Sequence, residues 1–126
     1  MDIFVTGATG VLGRPVVRQL ALAGHRVRGL ARSDQNATVL RELGAEPVYG
    51  DLWTDEPLRA AIQQSDAVLH LATKIPPLAS MSKRDAWRET DHIRTEGTRR
   101  VVDYALNTRV QTIIYPTRCA SFVEFC

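Results

Sequence analysis

Three glycines near the start of the chain stand three residues apart, within the stretch TGATGVLG that runs from Thr6 to Gly13. They are Gly7, Gly10 and Gly13. A glycine weakens the interior of a helix or strand by roughly 0.5–1 kcal/mol relative to alanine, so this concentration of glycine needs a physical reason. A backbone without side chains lets a phosphate approach the amide groups, and the first amides of a helix attract anions. The spacing therefore predicts a loop that binds the pyrophosphate of a nucleotide.

Each glycine has an expected task in such a loop. We expect Gly7 to make the tight turn, Gly10 to let a phosphate touch the backbone, and Gly13 to let the following helix pack closely on the strand. The other members of the predicted cofactor site in this loop are Thr9, Val11 and Leu12. The alternative is a glycine-rich structural turn without a ligand.

The elements on either side of the loop must place it at the edge of a sheet. The residues Asp2–Thr6, DIFVT, predict a short buried strand. The apolar spacing after the glycines predicts a helix that begins near positions 10–12 and stops at Gly24. Pro15 agrees with this, since proline is tolerated only near the start of a helix.

Strands and helices then alternate along the rest of the chain. Further strands are predicted at 25–31 with Val27 and Leu30 pointing inward, and at 46–51, 66–72 and 110–116. Helices are predicted at 35–43 and 56–64, and a long one at about 85–106. Strands joined by helical crossovers are parallel, and the crossovers are right-handed. The fold class is therefore α/β: a doubly wound Rossmann-type parallel sheet of order 3-2-1-4-5 with helices on both faces.

Four segments, taken in order, resemble the extended or atypical short-chain dehydrogenase/reductases, which include NAD(P)-dependent epimerases, dehydratases and reductases. The segments are TGATGVLG, GDL at Gly50–Leu52, LHLAT at Leu69–Thr73 and EGTRRVVDYA at Glu96–Ala105. The resemblance covers residues 1–117, which we expect to form a dinucleotide-binding Rossmann domain followed by an atypical tail at 118–126. Relatives continue past strand five. The resemblance therefore also implies that this chain is the N-terminal part of such a protein, truncated after strand five.

Residues at the ends of strands three and four complete the predicted cofactor site. The Asp51 carboxylate is expected to accept a hydrogen bond from the adenine amino group, or else to cap the next helix. Leu52 is expected to pack on the adenine ring. Ala72 would let the ribose lie against the backbone, unless it is only a small residue at a strand end. Leu71 and Thr73 are the remaining predicted contacts.

The end of strand two favours NADP over NAD. An NAD-binding domain usually places an acidic residue there, about 20 residues past the glycines. This chain has Ala31 and Arg32 at that point, with no acid before Asp34. Arg32, assisted by Ser33, can form charge-assisted bonds to a 2′-phosphate. NAD stays the alternative cofactor, and a solvated arginine the alternative role.

Reductases of this family resemble one another in a Y-x-x-x-K pair that handles the proton and holds the nicotinamide ribose. This sequence has two lysines, Lys74 and Lys83, and the residues four positions earlier are His70 and Ala79. The chain therefore lacks that pair. Thr117 is the nearest match to the family's catalytic hydroxyl, although a polar loop residue is the alternative.

Two functions follow from the resemblance. The first is the NAD(P)-binding part of an epimerase/dehydratase or reductase, which would act on a sugar nucleotide or small carbonyl substrate once the catalytic pair and a substrate lobe complete it. The alternative is a non-catalytic NADP-binding sensor or regulatory module. The isolated chain is expected to bind cofactor without turnover.

Composition limits the partners. The net charge of +2 is too small to indicate nucleic acid, and no apolar run approaches the ~20 residues of a membrane span. Cys119 and Cys126 form no disulfide framework, a strand begins too early to leave room for a signal peptide, and the histidines and cysteines have no metal-ligand spacing. We expect a cytoplasmic protein. An uncovered strand five and the apolar positions of the long helix suggest a homo-oligomer.

Overall fold

A computed structural model describes residues 1–74 and 76–115 of the 126-residue chain. Its strands form one sheet in the order β3-β2-β1-β4-β5, and all four pairings are parallel. The strands are β1 Asp2–Thr6, β2 Arg26–Ala31, β3 Glu46–Tyr49, β4 Ala67–His70 and β5 Thr112–Ile114. The predicted fold class and strand order are confirmed.

The described part of the chain contains five α-helices. They are α1 Gly13–Leu22, α2 Asp34–Glu42, α3 Asp55–Gln63, α4 Arg88–His92 and α5 Thr98–Ala105. Two 3₁₀ turns lie at Leu78–Ser80 and Arg84–Trp87, and a π-helical segment at Ile93–Gly97 joins α4 to α5. The strand–helix alternation brings the loops after β1, β2, β3 and β4 to one edge of the sheet, where the carboxyl ends of parallel strands meet.

Both faces of the sheet are buried, each in its own core. On one face Val5 and Val27 pack with Leu40 of α2. On the other face Phe4 packs with Leu58 of α3. Because side chains alternate along a strand, Val27 and Leu30 cannot share a face, and Leu30 packs with the Phe4 core. The prediction that both point inward holds only because helices cover both faces.

Several predicted element boundaries are wrong. The helix α1 begins at Gly13 rather than at 10–12, and β4 ends at His70 rather than at residue 72. The predicted single α-helix over 85–106 is a 3₁₀ turn, α4, the π-helical segment and α5 in succession. The π-helical segment coincides with two tertiary contacts: His70 of β4 approaches the carbonyl of Ile93, and Leu52 of the loop after β3 packs on Gly97.

The described residues contain no helix that is both long and apolar enough to cross a bilayer. Within residues 1–74 and 76–115, no three His, Cys, Asp or Glu side chains lie close enough together to hold a metal ion.

Candidate functional site

The turn that follows β1 requires a glycine at position 7. Gly7 has a φ of +68°, in the left-handed region. A Cβ atom there would lie 2.6 Å from both the amide nitrogen of Ala72 and the carbonyl carbon of Leu71. The Gly7 carbonyl accepts a hydrogen bond from the Gly10 amide at 3.1 Å, which closes the turn. The β1 end is therefore packed backbone to backbone against the segment after β4.

The start of α1 packs just as closely on this turn. A Cβ atom at Gly13 would lie 2.0 Å from the Gly7 carbonyl oxygen and 2.8 Å from backbone atoms of Ala8. The Arg14 amide donates to the Gly10 carbonyl, and the Arg14 side chain donates from Nε to the Thr9 carbonyl at 2.8 Å. Gly13 is predicted to let the helix pack on the strand, and the atoms that it approaches are those of Gly7 and Ala8, in the loop that follows the strand.

The outer side of the loop is open. A Cβ atom at Gly10 would meet only the Gly7 carbonyl oxygen, at 3.3 Å. Val11 is 95% exposed and Leu12 is 52% exposed. In the described part of the chain the amides of these two residues donate to no protein acceptor. Bare amides and a missing side chain at a helix N-terminus form a cradle that fits a phosphate group.

The segment after β4 supplies backbone rather than side chains to the crevice. Leu71 is only 8% exposed and belongs to the core, while its amide donates to the Thr6 carbonyl at 3.1 Å. Ala72 is partly buried, and its amide donates to Thr6 Oγ1 at 3.3 Å. Thr73 is exposed. Leu71 and Ala72 lie beside Gly7, and the cofactor contacts of all three residues stay predictions.

An exposed arginine follows the end of β2. Arg32 is exposed directly after Ala31, and among residues 1–74 and 76–115 its side chain has no hydrogen-bond or ion-pair partner. Ser33 is the N-cap of α2, where its Oγ accepts a hydrogen bond from the Asn36 amide at 3.2 Å. Ser33 therefore caps the helix while its own hydroxyl hydrogen remains a donor.

Asp51 bonds within the loop before α3 and does not cap that helix, whose N-cap Thr54 makes no side-chain cap hydrogen bond. Its Oδ1 accepts from the Trp53 amide and from the Thr54 hydroxyl, both at 2.8 Å. The Thr54 hydroxyl, and to a lesser extent the Trp53 amide and the charge of Arg32, hold the pKa of Asp51 below its usual value. The lowered pKa favours the ionised carboxylate. The predicted hydrogen bond from adenine now depends on its other oxygen, Oδ2.

Leu52 lies mainly in the core. It is 7% exposed and packs against Gly97 of the π-helical segment, where a Cβ atom would lie 2.6 Å from Leu52 Cδ2. Its predicted contact with adenine stays a prediction that involves only this small exposed part.

Beside the Asp51 loop lies a surface cluster that sequence reasoning missed. The Trp53 and His92 rings stack with centroids 4.6 Å apart, and the Arg100 guanidinium lies 5.9 Å from the Trp53 ring. Arg100 donates to the Leu52 carbonyl at 3.0 Å and also bonds Asp55, which lowers the pKa of that carboxyl. These residues come from the loop after β3 and from α3, α4 and α5, and no local sequence pattern indicates that they meet.

His70 is a satisfied core histidine, as the apolar strand around it predicts. It is 2% exposed, its Nδ1 lies 2.7 Å from Thr6 Oγ1, and its Nε2 lies 3.4 Å from the Ile93 carbonyl. Burial lowers the pKa of His70 below its ordinary value of 6.5.

This burial predicts a loss of stability in mild acid. Below about pH 6.5 the unfolded chain protonates this histidine while the folded chain does not, so the free energy of unfolding falls as pH falls. One proton taken up on unfolding gives a slope of up to ~1.4 kcal/mol per pH unit. Urea unfolding between about pH 7 and pH 5 measures the slope, and His70→Gln should flatten it. An unchanged slope in the variant would contradict the assignment.

Thr117, the predicted catalytic hydroxyl, lies outside the described residues, as do both cysteines. Its role stays a prediction.

Comparison with known proteins identifies the family. A family model described as the NAD dependent epimerase/dehydratase family matches residues 3–120, nearly the whole chain. The chain belongs to this family. The Rossmann fold and the open glycine cradle agree with membership of this family. The chain is therefore an NAD(P)-binding domain.

Two curated proteins show how much of the chain is shared with individual relatives. An uncharacterized protein of Schizosaccharomyces pombe is 49% identical over 72 residues, which cover 57% of this chain and 24% of that protein. A dihydroquinoline-oxide ketoreductase of Stigmatella aurantiaca is 34% identical over 115 residues, covering 91% of this chain and 33% of the ketoreductase. The chain thus spans about a quarter to a third of these curated relatives.

A solved structure extends the comparison to a bound cofactor. A short-chain dehydrogenase/reductase superfamily protein from Agrobacterium tumefaciens, crystallised with bound NAD, has 32% identity and a TM-score of 0.66. The match covers 91% of this chain and 32% of that one.

Proposed function

We propose that this chain supplies the NADP-binding part of a reductase or epimerase/dehydratase, in a domain that covers residues 1–117 and precedes a tail at 118–126. The observation that carries the choice of NADP is Arg32, an exposed guanidinium at the end of β2 that makes no hydrogen bond or ion pair within the described residues and whose charge acts on Asp51. A guanidinium matches the geometry of a phosphate, whereas NAD binding usually uses a carboxylate at this point.

The glycine loop would hold the pyrophosphate through backbone amides, and the positive end of α1 would favour its charge. Asp51 and Leu52 would contact the adenine, while Leu71, Ala72 and Thr73 would line the ribose. NAD(P), when bound, supplies hydride transfer; the residues of this chain bind and orient it. Thr117 is proposed as a hydroxyl near the reacting end.

The test compares NADPH and NADH binding to the wild type and to Arg32→Ala. Loss of bonds to a charged phosphate should weaken NADPH binding by about 1.5–3 kcal/mol, which is roughly a 10- to 150-fold rise in Kd. NADH, which has no 2′-phosphate, should bind almost as before. Isothermal titration calorimetry or cofactor fluorescence measures both constants.

Arg41→Ala is the matched control, because Arg41 is an equally exposed arginine near the other end of α2. It should change neither constant. If Arg32→Ala weakened NADPH and NADH equally, the preference for NADP would be wrong although dinucleotide binding would stand.

A second candidate function is a non-catalytic NADP sensor. The lack of a Y-x-x-x-K pair in these 126 residues fits this function and the first one equally. The two functions differ in turnover. A reductase or epimerase that carries this domain must convert a carbonyl or sugar-nucleotide substrate with the cofactor. A sensor needs only to bind the cofactor. A homo-oligomer and a cytoplasmic location remain predictions from the sequence.

A further inference from the structure

The helical region after β4 carries an arginine on its buried face. Thr90, Gly97 and Val101 are buried, and Arg94 stands four residues after Thr90 and three before Gly97. Residues three and four apart share one face of a helix. Arg94 is itself half-buried. Its side chain therefore starts from the face that packs on the sheet rather than from the face toward solvent.

This face of the helical region begins at the carboxyl edge of the sheet. Thr90 Oγ1 donates to the carbonyl of Lys74, in the segment that follows β4. The chain after α5 reaches the opposite edge, where the Gln111 amide donates to the Asp66 carbonyl just before β4. Arg94 is one turn from Thr90, so it lies near the carboxyl edge, where the proposed cofactor site is.

The strand order places Arg94 on the side of the nicotinamide. The proposed NADP site uses Arg32 after β2 and Asp51 after β3 for the adenosine half, and the loop after β1 for the pyrophosphate. In a sheet of order β3-β2-β1-β4-β5, the other half of an extended dinucleotide then lies over β4. Arg94 belongs to the helical region that follows β4, so it is the nicotinamide half that it neighbours.

The Arg94 guanidinium has hydrogen-bond donors that the described residues do not use. Its Nε is buried and makes no hydrogen bond, and within residues 1–74 and 76–115 the side chain forms no ion pair. The next two arginines differ, since Arg99 pairs with Glu96 and Arg100 with Asp55. A buried charge is costly unless it is paired or hydrogen-bonded. Arg94 is therefore placed to bind an acceptor from outside this part of the chain.

A comparison with Arg28 distinguishes Arg94 from an arginine with a structural role. Arg28 also has a buried Nε without a hydrogen bond, but its two terminal nitrogens bond Gln64 and Ser65. Arg94 makes no such bond among the described residues. It also belongs to the π-helical segment, and π-helical turns are frequent at functional sites.

We propose that Arg94 binds a carboxylate or phosphate group of the substrate, beside the nicotinamide end of the bound cofactor. The guanidinium is planar and always charged, and its donors match two oxygens of either group. The substrates of the proposed reductase or epimerase are then those that carry such a group, which include sugar nucleotides and exclude neutral carbonyl compounds. The inference rests on the proposed function, since it names the substrate class of the same site.

The test uses the chain saturated with NADPH, so that the glycine loop and Arg32 are already occupied, with inorganic phosphate and acetate as the probes. The Nε–H resonance of Arg94, assigned by its absence from Arg94→Gln, should shift with either probe in ¹H–¹⁵N spectra. Sodium chloride at equal ionic strength should not shift it. The backbone amides of residues 93–97 report the Kd of each probe in both proteins. Arg94→Gln should raise that Kd roughly 10-fold or more.

Arg99→Gln is the matched control. Arg99 is an exposed arginine five residues further along, and its partner is Glu96. Its removal should leave the Kd of both probes within about twofold of the wild type.

A second variant, Arg94→Met, tests the unpaired charge through stability. An apolar side chain in place of an unpaired, half-buried charge should be neutral or stabilising, so the variant should fold with an unchanged or higher urea midpoint. Phosphate should raise the midpoint of the NADPH-saturated wild type, because a ligand stabilises the state that it binds, and should not raise that of Arg94→Met. A much lower midpoint for Arg94→Met would show that Arg94 has a structural partner, and the inference would fail.

The remaining outcomes separate the inference from the proposed function. If NADPH binds and both probes leave Arg94 unchanged, the inference fails while the proposed function stands. If NADPH alone shifts the Arg94 resonance and Arg94→Gln weakens NADPH as much as the probes, the guanidinium holds the cofactor and the substrate inference fails. If the chain binds neither NADPH nor NADH, the proposed function fails, and probes that leave Arg94 of the free chain unchanged overturn the oxyanion site as well.

Discussion

Replacing Gly10 by valine should raise the Kd for NADPH at least ~100-fold while the protein stays folded. The site where a phosphate would meet the backbone is the one occupied by the new side chain, and loss of two bonds to a charged group costs about 3–6 kcal/mol. The fold should tolerate the change, because a Cβ atom at Gly10 meets only the Gly7 carbonyl oxygen, at 3.3 Å. Titration with NADPH, together with the thermal unfolding midpoint, measures both parts of this expectation.

Gly24→Ala is the control for this variant. Gly24 ends α1 with a φ of +91°, far along the helix from the loop, and has no neighbouring atom within 4 Å of an added Cβ. Alanine there should lower stability somewhat and leave the NADPH constant unchanged. If a folded Gly10→Val protein bound NADPH as tightly as the wild type, the loop would be a structural turn and the cofactor would have to bind elsewhere.

The strand order could be predicted from the sequence because it follows from local signals and a general rule. Alternating strands and helices with capping residues and terminal glycines determine the elements, and parallel strands with right-handed crossovers leave few topologies. The Ser33 cap and the helix end at Gly44 belong to this class of signal. Each depends on residues that are neighbours in the chain.

The interior of the last helical region could not be predicted in this way. The apolar spacing over 85–106 fits one α-helix, yet the chain forms a 3₁₀ turn and a π-helical segment there. The deviation coincides with contacts from His70 and Leu52, which are 23 and 45 residues away from the positions they touch. Tertiary contacts of this kind override a local period and leave no mark within it.

The residues of the candidate site differ in the same way: some could be predicted from local signals and others could not. The glycine loop and the arginine after β2 follow from spacing and position, so sequence reasoning reached them. The direction of the Asp51 carboxylate decides between its predicted roles, and the sequence does not show that direction. Both contacts of its Oδ1 are with residues two and three positions ahead. The hydrogen bond between Thr6 and His70 joins residues 64 positions apart, which the pairing of β1 with β4 brings together.

Gly13→Ala should destabilise the protein more than any other glycine substitution outside a positive φ. A Cβ atom there would lie 2.0 Å from the Gly7 carbonyl oxygen and 2.8 Å from backbone atoms of Ala8, so main chain rather than a flexible side chain must move. Overpacking of a tight core costs about 1–3 kcal/mol, and a clash between two backbones belongs at or above the top of that range. Urea unfolding measures the loss of free energy.

Gly24→Ala again separates the causes, since it carries the conformational cost of a left-handed residue, about 1–2 kcal/mol, without any clash. Gly13→Ala carries the clash without that conformational cost, because Gly13 does not have a positive φ. We therefore expect the larger loss at Gly13, and the Kd for NADPH to rise with it as α1 is pushed away from the loop. A Gly13→Ala protein as stable as Gly24→Ala would mean that the helix can move off the turn at little cost, and the tight packing of α1 on Gly7 would then have no bearing on how the loop meets a phosphate.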